Sequence, residues 1–179
     1  MQDLHSNMEF TNSASDFIKI IWYFDEEFDL EIDSFQGVQN AFDEYGWALE
    51  GVDTELFKFR FALQYYDENS ISFIIDNKDC YDLRHIINDI EPGYFPLMEA
   101  VSHKKYEQAE FLLKSGANPN QGNEPWFPLM QADINRDLQM IELLEQYGAD
   151  WEHNTKVYEH WNNEVFNRPN KKYIRRTKA

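Results

Sequence analysis

From Glu27 to Asp33 acidic and apolar residues alternate, with Phe28, Leu30 and Ile32 between the carboxylates. Carboxylates two residues apart are how a calcium-binding loop begins, but such a loop needs glycine at its sixth position for the sharp turn. Ile32 stands there if Glu27 is first, and the intervening residues are apolar. The run therefore reads as a partly extended segment, 25–33, in which Asp25, Glu27, Asp29, Glu31 and Asp33 form a solvated or partner-facing acidic edge. The five histidines (His5, His85, His103, His153, His160) lack the spacing of zinc ligands, and Cys80 is the single cysteine. No phosphate loop, dinucleotide fingerprint or Gly-x-Ser-x-Gly occurs. Carboxylate pairs such as Asp43-Glu44 are too common here to name a general acid and base. No catalytic residue, metal or cofactor is assigned. The expected chemistry is binding.

The charge balance says what kind of partner to expect. The 179 residues hold 33 acids and 16 bases, a formal net charge of −17. Six of the bases (Arg168, Lys171, Lys172, Arg175, Arg176, Lys178) lie in the last twelve positions, leaving 10 bases against 33 acids, or −23, for residues 1–167. Such a body repels nucleic acid and anionic membrane and attracts basic partners at long range, unless the charge serves solubility alone. No stretch approaches the roughly 18 apolar residues of a membrane span, and residues 1–12 do not read as a secretory signal. With one cysteine, these features lead to the expectation of a cytoplasmic protein.

The positioning elements are written in a repeat. Phe95-Pro96-Leu97-Met98-Glu99-Ala100 leads through Phe111-Leu112-Leu113 to Gly116-Ala117-Asn118. Phe127-Pro128-Leu129-Met130-Gln131-Ala132 leads through Leu143-Leu144 to Gly148-Ala149-Asp150, 32 positions later throughout. A period of that length signals stacked helix–turn–helix units. Proline suits the first helical turn, where its missing amide has no partner, so Pro96 and Pro128 each open a short helix. Tyr106, Ala109, Phe111 and Leu112 give the following helix an apolar stripe, repeated by Leu138, Ile141, Leu143 and Leu144. Gly116 and Gly148 end these helices in the left-handed conformation.

Pro-Leu-x-x-Ala followed by Leu-Leu-x-x-Gly-Ala-(Asn/Asp) resembles the ankyrin repeat. A degraded copy lies upstream, with Ile71, Ile74 and Ile86-Ile87 in the places of Leu97, Ala100 and Leu112-Leu113. Val157, Trp161 and Val165-Phe166 suit a truncated closing unit, so the array spans residues 70–167. Phe95 and Phe127 replace the usual capping Thr, and Met98 and Met130 the usual His. A lost cap costs about 1 kcal/mol, and apolar stacking of the Phe and Met side chains is expected to compensate.

Residues 1–69 read as a helical N-terminal region. Its apolar sets are Phe17, Ile18, Ile20, Ile21, Trp22 and Phe24, then Val38, Ala41, Phe42, Trp47 and Leu49, then Leu56 to Tyr66. The expected architecture is all-α, with this region capping a short ankyrin-like array. Residues 168–179 form a basic tail that is expected to be mobile, folded back on the acidic body, or solvated.

The resemblance implies protein binding through the inter-repeat turns and the exposed side of each first helix. The implied contact residues are Asn123, Glu124 and Trp126 in the first turn, and Trp151 and Glu152 in the second. On the first helices they are Glu99, Ser102, His103, Gln131, Asp133 and Asn135. Trp126 and Trp151 either cover the inter-repeat core or anchor a partner. A small acidic chain of this kind also resembles bacterial immunity proteins built on ankyrin-like repeats, which implies a basic toxin or effector domain as partner, blocked by occlusion. The alternatives are an anti-defence protein of phage type whose carboxylates imitate nucleic acid, an ordinary ankyrin adaptor, and a self-assembling structural protein.

Overall fold

A helix that carries Phe57, Phe59, Phe61, Ala62 and Leu63 has too many apolar directions to lie on a surface, so it must sit among other helices. The computed structural model, which describes residues 10–30, 32, 34–91, 94–122, 126–165 and 172–176, places it so. The chain divides into two units, Met1–Tyr94 and Phe95–Ala179. The first holds α1 (Asp16–Phe28), α2 (Phe35–Tyr45), α3 (Thr54–Tyr65), α4 (Glu68–Asn77) and α5 (Leu83–Asn88), with a 3-10 turn at Gly46–Ala48. Helix α3 packs on α2, α4 and α5, and the five side chains named above are fully buried. Phe61 stacks on Phe17 of α1 with ring centroids 4.2 Å apart. Helices α2 to α5 start on Ser34, Asp53, Asp67 and Asp82, whose side chains accept from backbone N–H groups of the first turn.

Within this aromatic core α3 also buries a cation. Arg60 is 2% exposed and donates through Nη2 to Asp89 Oδ2 at 2.5 Å. Its guanidinium lies 5.2 Å from the Tyr94 ring centroid, a contact that an aromatic face makes favourable. Asp89 Oδ2 also accepts from the Ala14 N–H, which ties the approach to α1 to the end of α5.

Two expectations for this unit need correction. The segment from Asp25 to Phe28 is the last turn of α1, not extended chain. Phe24 and Phe28, four residues apart, lie on one side of the helix, and Phe28 stacks on Tyr45 at 4.1 Å. Ring packing at helical spacing outweighs a short alternation. Asp29 then closes α1 in the left-handed conformation, φ 53°. Trp47 is not core but 82% exposed, because α2 ends at Tyr45 and the 3-10 turn directs the indole outward, where Nε1 donates to the Glu44 carbonyl. Trp22 of α1 is likewise exposed.

In the second unit the repeat is explicit. Helices α6 (Pro96–Ser102) and α8 (Pro128–Ile134) each carry proline in the first turn, and α7 (Tyr106–Lys114) and α9 (Leu138–Gln146) follow them. Gly116 and Gly148 take φ of 95° and 90°, the left-handed ends that the sequence requires. First helices pack side by side, α6 on α8 and α8 on α10 (Trp151–His160), and second helices do the same, α7 on α9. The fold is all-α; among the described residues an isolated bridge between Glu91 and Tyr94 is the sole β pairing. Phe95 and Phe127 provide no side-chain cap. Instead Phe127 and Met130 are buried against Tyr158 of α10. Leu138, expected in the core stripe of α9, is 59% exposed, and Met140 is buried instead. The Asp137 cap fixes the start of α9 by accepting from Met140 N–H, which turns Leu138 outward.

The pair of buried Arg60 and partly exposed Asp89 yields a stability prediction. Asp89→Ala, which strands the guanidinium, lowers the unfolding free energy by about 3–5 kcal/mol. The double variant Arg60→Met/Asp89→Ala recovers a substantial part of that loss in urea unfolding. Additive losses would contradict the pairing.

Candidate functional site

The repeat brings most of the expected contact residues to one row of first helices. On α6, Glu99 and His103 pair at 3.0 Å, and Ser102 is exposed beside them. Gln131 of α8 donates to Asn135, whose amide reaches back to the Ser102 carbonyl at 3.5 Å. Glu99, Ser102, His103, Gln131 and Asn135 therefore form one polar face across two repeats. The turns are fastened in the same register. Asn120 donates to the Gly148 carbonyl at 2.8 Å and accepts from Asp150 N–H at 2.7 Å, spanning from one turn to the next. Trp126, at the far end of the first turn, is 43% exposed and packs edge-on to Tyr158 at 5.8 Å. Asn123 and Glu124 lie outside the described residues, as do Glu31 and Asp33 of the acidic edge. Asp25 and Glu27 are exposed on α1, and Asp29 is exposed at its end.

Trp151 and Glu152 do not lie in a turn. They open α10, because Asp150 accepts from Glu152 N–H at 2.8 Å and starts the helix there. Glu152 is exposed and paired with Lys156 at 2.6 Å. Trp151 is half-buried, its Nε1 donating to Glu145 Oε1 at 2.7 Å.

Asp133 departs furthest from expectation. It is fully buried, under a segment of the chain's own tail. Tyr173 Oη donates to Asp133 Oδ2 at 2.9 Å, and the Arg176 backbone N–H donates to the same oxygen at 2.7 Å. The Tyr173 ring lies against Phe127, Met130 and Tyr158, 5.2 Å from the Tyr158 ring. The Arg175 guanidinium sits 3.7 Å above the Trp151 ring and 4.0 Å from Glu145. Hydrogen bonds to a carboxylate are the stronger kind, and a cation over indole is the best of the cation–aromatic pairs. Among the open options for the tail, residues 172–176 fold back on the acidic array. Sequence reasoning missed the exact seat. The signal available was a Tyr-x-Arg-Arg run of opposite charge to the body.

Residues 93–124 match the family model described as the ankyrin repeat. Over these residues the chain is similar to an ankyrin repeat. The match takes in α6, α7 and the turn after them, and the copy 32 residues later repeats its helix starts and glycine ends. No curated protein and no solved structure matches the chain significantly. Ankyrin repeats generally serve protein–protein interaction and not catalysis. Among the described residues no group of three or more His, Cys, Asp or Glu is placed to hold a metal ion. No helix there is long and apolar enough to cross a membrane.

Burial raises the Tyr173 phenol above its ordinary value, and the Asp133 hydrogen bond and charge raise it further. Tyr158 acts in the same direction, while Arg176 opposes. A proton held more tightly in the docked state means that docking is fully supported below about pH 10, where a free tyrosine titrates. That support is lost as pH rises through the docked value. The difference between ultraviolet titrations of the wild type and Tyr173→Phe is therefore a single phenol step above pH 10. A step at the free value contradicts the docked tail.

Proposed function

We propose that the chain is a non-enzymatic protein-binding module that neutralises a basic toxin or effector domain by covering its active or substrate-binding surface. The observation that carries this reading is the polar first-helix face from Glu99 to Asn135, in which Ser102 and His103 are exposed and Glu99, Gln131 and Asn135 half-buried, on a chain of net charge −17. Paired repeats hold that face rigid, so little ordering entropy is lost on binding. The negative field steers a basic partner into encounter and disfavours acidic competitors. Trp126 at the rim supplies an aromatic anchor of the type that dominates interface energetics. The acidic residues at the end of α1, Asp25, Glu27 and Asp29, are exposed and belong to the same negative balance. Ankyrin-repeat chemistry supports a protein partner; its identity as a toxin rests on charge and on the small, acidic character of the chain.

The test begins with capture from the native host and continues to inhibition by purified components. The expected partner is a basic domain whose toxic activity the chain abolishes at about one-to-one stoichiometry. Its association rate falls at least tenfold between low and physiological salt. Trp126→Ala weakens the complex by at least tenfold. A nucleic-acid-processing defence complex as target would favour the anti-defence alternative. Recovery of the chain alone, or a captured domain whose activity is unaffected, would overturn the proposal.

A further inference from the structure

The tail fits its seat incompletely. Asn154 is fully buried on the side of α10 that carries Trp151 and Tyr158, positions related by steps of three and four residues. Among the described residues neither its amide nitrogen nor its amide oxygen has a hydrogen-bond partner. Arg175 Nε is buried in the same condition. An unmet amide in a low-dielectric seat is costly, so an occupant that meets Asn154 binds better than one that does not. The contacts that are made are specific: one carboxylate oxygen takes a phenol and a backbone N–H, and one indole face takes a guanidinium.

We propose that the groove between α8 and α10 is a peptide-recognition site, and that residues 172–176 are its resident placeholder. The natural occupant is an extended basic segment of the protein partner, so this inference rests on reading the chain as a protein-binding module. The tail states the chemistry that the occupant must share. An aromatic hydroxyl reaches Asp133, a guanidinium two residues later covers Trp151 beside Glu145, and the next backbone N–H returns to Asp133. The occupant adds a group with both a donor and an acceptor, a peptide unit or a carboxamide, that pairs with Asn154. Charge sets the class of occupant, because the groove belongs to a strongly acidic chain and the segment that fills it, Lys-Tyr-Ile-Arg-Arg, is basic. A tethered segment competes at an effective concentration on the order of millimolar. A ligand from outside therefore binds with an affinity reduced by the fraction of open grooves.

A labelled synthetic peptide with the sequence of residues 170–177 serves as the probe, and fluorescence anisotropy as the readout. The full chain carrying Tyr173→Ala and Arg175→Ala has its groove released, and it binds the peptide at least tenfold more tightly than the wild type. Adding Asp133→Asn weakens that binding at least tenfold. The gentler variant Tyr173→Phe keeps the ring in place but loses its hydrogen bond, and gives an affinity between the two. This variant decides the matter if the double variant loses its helical circular dichroism. Equal peptide affinity for wild type and Tyr173→Phe, absence of binding to every variant, or indifference to Asp133→Asn would overturn the proposal and leave the tail a structural plug. A toxin partner whose affinity ignores the tail variants sinks this inference alone. Peptide binding by a chain that inhibits no toxin sinks only the toxin reading.

Discussion

A helix pair with apolar side chains on both broad faces is unstable by itself, so each repeat must be covered by the next. The second unit answers that constraint at every step. Helix α6 is covered by α8 and α8 by α10, while α7 is covered by α9. The presence of Phe and Met where the ankyrin pattern has Thr and His makes the constraint more severe at α8. It exchanges local hydrogen bonds for apolar area that only a neighbour can remove from water. Tyr158 and the Tyr173 ring are what Phe127 and Met130 meet there. The same contact that closes the array thereby seats the tail.

Asp133 shows how this packing creates chemistry. A carboxylate with no solvent exposure is tolerable only when its acceptors are met by good donors. Two of those donors come from Tyr173 and Arg176. Without the tail, Asp133 of α8 and the Trp151 face of α10 lose the partners that residues 173–176 supply. A surface of that composition suits a basic aromatic segment and repels an acidic one.

The repeat was legible in the sequence because its signals are local. Proline at a helix start, paired leucines and a left-handed glycine each act within a few residues, and the second copy confirms the first. The places of Glu99, Ser102, Gln131 and Asn135 at the first helices were legible for the same reason, whereas the burial of Asp133 was not. Legibility failed where distant packing decides. The alternation after Asp25 reads as extended chain until Phe28 finds Tyr45, and Trp47 reads as core until the helix ends two residues before it. Arg60 is invisible within a run of phenylalanines, because nothing local announces its partner 29 residues away. Trp151 was misplaced into a turn because Asp150 can end one element or cap the next, and the hydrogen bond that its side chain accepts from the Glu152 N–H decides. The docking of the tail joins residues about 40 positions apart, a distance at which charge and aromaticity suggest attraction without giving register.

The most direct measurement is amide hydrogen exchange at Arg176 in the free full-length chain. The N–H donates to a buried carboxylate, so its exchange is slowed well below that of an unstructured peptide, and Asp133→Asn releases it. Exchange of the Arg176 amide at the unstructured rate in the unaltered chain would contradict the docked tail and the groove built around it.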